Sequence, residues 1–130
     1  FAEWEVALRR PVPRIAEGMA LAARGLAAGD VSDGLVREME KFAAASGAGC
    51  RIDLEAVPRA EGVGAEDAVA SGEETELVCA GPRELVEAAA AELECGLTVV
   101  GEMTASPAVA VLDARGREVA LPRRGHEHFR

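Results

Sequence analysis

Asp30-Val31-Ser32-Asp33-Gly34-Leu35-Val36 is the stretch on which the reading of this chain turns. Two carboxylates and a hydroxyl stand within four residues, between the small apolar run 25–29 and a strongly periodic helix. In an extended segment successive side chains alternate faces, so Asp30 and Ser32 project together while Val31 points into a core. Asp33-Gly34 then turns the chain into the helix and leaves Asp33 near the N–H groups of its first turn. Two readings stand side by side. In one, Ser32 or Asp33 is an N-cap and Asp30 a solvated edge residue. In the other, hard oxygen ligands beside a positive helix terminus hold a Mg²⁺–phosphate group.

Outward from that stretch, the pattern gives alternating helices and strands. Leu35, Val36, Met39, Phe42, Ala43 and Ser46 share one face of a helix over 34–46, opposite Arg37, Glu38, Glu40 and Lys41. Gly47 and Gly49 end it, and Cys50, Ile52 and Leu54 alternate with Arg51 and Asp53 in a half-buried strand. Upstream, 1–10 reads as a short amphipathic helix with Trp4, Val6 and Leu8 partly buried, stopped by Pro11 and Pro13. Ile15, Met19, Ala22 and Ala23 follow helical spacing over 15–24, closed by Gly25, and 25–31 is a small-residue strand that delivers Asp30.

Downstream, 58–64 is a loop, 65–70 a helical turn or two, and 71–74 a loop with adjacent carboxylates Glu73-Glu74. Strands are expected at 75–80 (Leu77 and Cys79 opposite Glu76 and Val78), 97–103, 108–112 and 118–121, and a helix at 82–95 with Leu85, Ala89 and Leu93 on one stripe. Asp113-Ala114-Arg115-Gly116 is a hairpin turn. The order fits an α+β or layered α/β/α sandwich of about four to six strands.

Composition narrows the function. Apolar residues are 49% of the 130, yet aromatics only 3%, so Ala, Val and Leu must build the core. A net charge of −9 argues against nucleic acid, whose phosphates require clustered Lys and Arg. No apolar run reaches the ~18 residues of a membrane span. The opening Phe1-Ala2-Glu3-Trp4-Glu5 is no signal peptide and lacks Met, which reads as a piece of a longer protein. Cys50, Cys79 and Cys95 are odd in number with no C-x-x-C pair; buried, reduced thiols in the two strands fit a cytoplasmic setting.

Other motifs fail or stay weak. Counted from Asp30, the position that an EF-hand fills with a bidentate Glu is Lys41. Gly62-Val63-Gly64 lacks the last glycine of a dinucleotide loop, and neither a nucleophile elbow nor a Walker A sequence is present. His126-x-His128 offers two metal ligands, with no third His and no nearby Cys. Glu73-Glu74 is either a solvated pair or, between a glycine and a strand, a ligand contact.

Five stretches in this order resemble thiamine-monophosphate kinase, C-terminal half. They are Leu8-Arg9-Arg10-Pro11-Val12-Pro13-Arg14-Ile15-Ala16-Glu17-Gly18, Asp30-Val31-Ser32-Asp33-Gly34-Leu35, Ala44-Ala45-Ser46-Gly47-Ala48-Gly49-Cys50-Arg51-Ile52-Asp53-Leu54 with Pro58 following, Ser71-Gly72-Glu73-Glu74-Thr75-Glu76-Leu77, and Gly125-His126-Glu127-His128-Phe129. The resemblance implies transfer of the γ-phosphoryl of ATP onto thiamine monophosphate. It implies Asp30 and Asp33 as Mg²⁺ ligands, Ser32 as a nucleotide contact, and Glu73 and His126 as substrate contacts. It also implies a three-layer α/β/α sandwich similar to the C-terminal domain of aminoimidazole ribonucleotide synthetase, here 15–130, with 1–14 a linker from an N-terminal domain. That domain would hold most Mg²⁺-binding aspartates and the dimer contact, so the piece alone is expected to fold without turning over ATP.

Departures from the family pattern are Ser71 for a glycine, Glu74-Thr75 for Asp-aromatic, and His126 for the aromatic that encloses substrate. They bear on substrate identity, leaving open a relative acting on another small phosphate or carboxylate, or a non-catalytic binding or regulatory domain. Hydrogenase-maturation relatives end in a reactive cysteine motif, and no Cys follows Cys95.

Overall fold

The computed structural model describes residues 3–126, apart from the side chains of residues 3, 4 and 8. In chain order the elements are α1 (Glu3–Arg9), α2 (Ile15–Ala23), β1 (Ala27–Asp30), α3 (Leu35–Ser46), β2 (Gly49–Asp53), a 3-10 turn (Leu54–Ala56), α4 (Ala65–Ala70), β3 (Leu77–Ala80), α5 (Arg83–Glu92), β4 (Gly101–Thr104) and β5 (Val109–Leu112). This is an α+β chain. It folds as two compact units: one up to Asp30 together with Thr75–Gly96, the other Val31–Glu74 together with the chain from Leu97 onward.

The first unit centres on an antiparallel pair, β1 against β3, in the register Ala27↔Ala80 to Asp30↔Leu77. Leu21, Leu26, Val78 and Ala89 are its buried apolar groups. Here the structure corrects three expectations. Ile15 and Met19 are 68% and 69% exposed while Leu21 is 1% exposed, so α2 packs through a different stripe from the one its spacing marks. Val6 is exposed rather than partly buried, whereas Trp4 and Leu8 lie outside the described side chains. On β3 it is Val78 that is buried, with Leu77 and Cys79 half-buried. At the entry to α2, the Arg14 guanidinium forks onto Glu76 at 2.7 and 3.0 Å. That bond holds the Arg14 charge more firmly than usual.

The second unit is built on the sheet β4-β2-β5, in which β2 runs antiparallel to β4 and parallel to β5. Cys50 and Ile52 of β2, Val111 of β5, Val36, Met39 and Ala43 of α3, and Val69 of α4 form the core. These are the small aliphatic groups that the composition requires, each worth about 1.5–3 kcal/mol when fully buried as Val or Leu. The periodic face of α3 is the expected one, with two exceptions: Ser46 is exposed and Glu38 is buried. α3 stops at Gly47 in a left-handed conformation.

The expected strand over 97–103 is ladder-paired only from Gly101. Asp113 does organise a turn, taking the backbone N–H groups of Arg115 and Arg117 at 2.8 and 2.9 Å. Those bonds, with the Arg117 guanidinium, hold its carboxyl below the usual range. The returning segment makes only the bridge Leu112↔Glu118, not a strand.

Leu21→Ala should cost about 2–5 kcal/mol in urea unfolding, because it empties a packed site, while Met19→Ala should change stability by less than about 0.5 kcal/mol. The opposite ranking would mean that α2 packs through its Ile15–Met19 stripe. All three cysteines are free; burial pushes the Cys50 and Cys79 thiols up, and Cys95 is exposed. A thiol reagent at neutral pH should therefore label Cys95 first, and equal labelling of Cys50 in the native protein would contradict its burial.

Candidate functional site

Asp30 ends β1, exposed, opposite Leu77 in the first unit. Val31 is buried and Ser32 exposed, as the alternation predicts. Asp33 and Gly34 then bend the chain into α3. The N-cap is Gly34, at φ 104°, a backbone conformation that glycine alone adopts without strain. A Cβ there would stand 3.0 Å from the carbonyl oxygens of Ala70 and Ser71. The N-cap position thus belongs to a residue with no side chain, which removes the reading of Ser32 or Asp33 as the capping residue.

The Asp33 carboxylate instead faces a cation. Lys41 Nζ stands 3.1 Å from Asp33 Oδ2 and 2.9 Å from Oε2 of the buried Glu38. Hydrogen bonds to Glu38 and then Asp33 keep Lys41 protonated to higher pH than usual, outweighing its slight desolvation. Mg²⁺ commonly takes one or two carboxylates plus phosphate oxygens, and would compete with Lys41 for the Asp33 carboxylate. The carboxylate oxygens of Asp33 are donors of that kind. Among the described residues no group of three or more His, Cys, Asp or Glu is placed to hold a metal by itself.

Two distant loops close on this turn through its backbone. The Ser32 carbonyl accepts the Glu73 N–H at 2.7 Å, and the Asp33 carbonyl accepts the His126 N–H at 2.8 Å. Glycine makes both approaches possible. A Cβ on Gly72 would lie 2.6 Å from the Ser32 carbonyl oxygen, and one on Gly125 would collide with that of Asp33. Glu73 itself sits at φ 63°, the single non-glycine residue with positive φ among those described. A non-glycine residue in this region is strained, and the surrounding loop must hold it there. Neighbouring Ser71 donates its hydroxyl to Glu74 at 2.9 Å, which fixes the far side of the loop.

Four of the five residues singled out from sequence, Ser32, Asp33, Glu73 and His126, therefore meet in the second unit; Asp30 belongs to the first. His128 lies outside the described residues. Sequence reasoning missed Lys41, Glu38, Glu40 and Arg124. The Glu38–Lys41 spacing of three on a helix was a usable signal. The pairing of Glu40 with Arg124 at 2.6 Å, 84 residues apart, left none.

Comparison with known proteins gives the family. The family model for AIR synthase related protein, C-terminal domain, matches residues 4–114. The chain belongs to that family. Within the curated proteins its relatives are thiamine-monophosphate kinases. That of Halobacterium salinarum is 42% identical over 101 residues, 73% of this chain and 35% of the relative. That of Pyrococcus abyssi is 35% identical over 98% of this chain and 41% of the relative, and that of Salmonella typhimurium 32% identical over 92% and 40%. The solved structure "AaThiL complexed with AMPPCP and TMP" superposes with a TM-score of 0.73 at 25% identity, covering 99% of this chain and 43% of that one. The chain thus spans 35–41% of the length of these three curated relatives.

Glu73→Asn should raise stability by about 0.5 kcal/mol in urea unfolding, since Asn tolerates the left-handed region better than Glu. A loss above about 1 kcal/mol would make Glu73 a structural residue rather than a strained functional one. Gly125→Ala should cost about 1–3 kcal/mol by forcing apart the Asp33 and His126 backbones.

Proposed function

We propose that this chain supplies nucleotide, metal and substrate contacts to a kinase that transfers the γ-phosphoryl group of ATP onto thiamine monophosphate, giving thiamine diphosphate and ADP. The observation that carries this reading is the pair of backbone hydrogen bonds on successive carbonyls, Ser32 to Glu73 and Asp33 to His126. They bring Ser32, Asp33, Glu73 and His126 into one small region. The naming of the relatives and the two ligands of the similar solved structure support it.

In this reading Asp33 offers carboxylate oxygens to Mg²⁺, and the Ser32 hydroxyl touches the nucleotide. Bound magnesium supplies neutralisation of the charge that builds on the transferring phosphoryl group. Glu73, fixed by its strained turn, contacts the thiamine substrate, and the His126 ring stacks where the family carries an aromatic. The accepting phosphate oxygen is already ionised at neutral pH, so positioning matters more than a general base. The phosphate oxygen forms the new P–O bond as the bond to the β-phosphate oxygen breaks, and ADP leaves with that electron pair.

The same reading takes the remaining length of such kinases to hold further Mg²⁺ ligands and the contact of a homodimer. It places the protein in the cytoplasm; no described helix is long and apolar enough to cross a membrane. The 130-residue chain alone should then fold and release no ADP.

In the intact protein, Asp33→Asn should lower kcat/KM for Mg²⁺-dependent phosphorylation of thiamine monophosphate by about 100-fold or more. Glu102→Gln, on the exposed edge strand β4, should leave it within about twofold. Absence of calorimetric heat on titrating thiamine monophosphate to millimolar concentration into the intact wild-type protein would sink the assignment.

A further inference from the structure

Arg124 lies two residues before His126 and does something that the proposed chemistry does not require. Its Nε donates to Glu40 Oε1 at 2.6 Å and its Nη2 to the Val109 carbonyl, on β5, at 2.8 Å. The other oxygen of Glu40 is held by Arg37 Nη1 at 3.0 Å. Glu40 is therefore gripped on both oxygens by guanidinium groups, one from its own helix and one from the C-terminal segment. The next residue, Gly125, passes so close that a Cβ on it would stand 2.7 Å from Arg37 Cβ and collide with the Asp33 carbonyl. His126 then donates its N–H to that carbonyl. Residues 124–126 thus cross the first two turns of α3 as a strap, pinned at Glu40 at one end and at Asp33 at the other.

The strap's grip at Glu40 has the features of a pair that counts. Both side chains are partly buried, at 39% and 27% exposure, so the charges are less screened than those of a surface pair. Charge-assisted hydrogen bonds this short are also the strong ones. An Arg fork divided between a carboxylate and a carbonyl fixes a direction as well as a distance, which a single ammonium does not. Without it, the segment loses its anchor on Glu40 and β5 and keeps the bond to the Asp33 carbonyl.

We propose that Arg124, through Glu40, is a positioning residue that sets where the His126 segment lies over Asp33, and so sets affinity on the substrate side of the site. The proposal rests on the reading of His126 as a substrate contact. It predicts that breaking the pair loosens substrate binding and spares the nucleotide.

The test is a double-mutant cycle in the intact protein, Arg124→Gln, Glu40→Gln and the pair, with Arg124→Lys as the conservative variant. Amide hydrogen exchange at His126 should quicken about tenfold or more in either single variant, with no matching change in the β2 amides. KM for thiamine monophosphate should rise about 5–10-fold, with KM for ATP and kcat within about twofold. The double variant should be no worse than the worse single one. Arg124→Lys should recover part of the lost affinity, since it restores the charge without the fork.

Unchanged exchange at His126 overturns the strap. Faster exchange with unchanged KM for thiamine monophosphate overturns its role in binding. An equal rise in both KM values does the same, because it marks a general structural loss. Wild-type protein that does not act on thiamine monophosphate would sink the kinase reading and the binding role with it, while the exchange measurement still decides whether the strap exists.

Discussion

Two neighbouring carbonyl oxygens, those of Ser32 and Asp33, are the constraint on which the site depends. Each accepts a backbone N–H from a segment remote in sequence, one carrying Glu73 and the other His126. A buried or half-buried peptide group must find a partner, and these partners are supplied by glycine-containing loops that approach closer than any side chain would permit. The Gly34 turn into α3 belongs to the same constraint, since a Cβ there would press on the carbonyls of the loop that leads to Glu73. Backbone geometry, rather than side-chain contact, assembles the candidate site.

Around that frame the charges are arranged asymmetrically. On one side Lys41 joins Asp33 to the buried Glu38. On the other, Arg37 and Arg124 share Glu40. Both networks are anchored on α3, whose apolar face is sunk into the sheet of the second unit. The helix therefore couples the hydrophobic core to the polar site: its inner stripe fixes its position, and its outer residues hold the segments that carry Asp33 and His126.

Much of this was legible in sequence. The α3 stripe repeats at helical spacing over a length that leaves little ambiguity, and Asp30-Val31-Ser32-Asp33-Gly34 concentrates hard oxygen ligands where the chain turns. The resemblance to the kinase family rested on motifs in order, and the family match covers most of them. By contrast α2 carries apolar residues around much of its circumference, so spacing alone could not choose between Leu21 and the Ile15–Met19 stripe. Glu38 was misplaced for a similar reason: a charged residue is assigned to solvent until a partner is known. In the sequence Lys41 stands on the polar face of the helix and disqualifies an EF-hand, whereas its contact with Asp33 is visible only once the turn is folded.

What the sequence determined by itself is the local chemistry: which residues can form each helix and strand, where glycine must stand, and which side chains offer oxygen to a metal or phosphate. These follow from properties of short segments. What the tertiary structure decided is which remote loops reach the Asp33 turn, which face of α2 is covered, and which cations meet Asp33 and Glu40. Those depend on contacts between residues up to 84 apart in the chain, and no local pattern encodes the direction from which such a neighbour arrives.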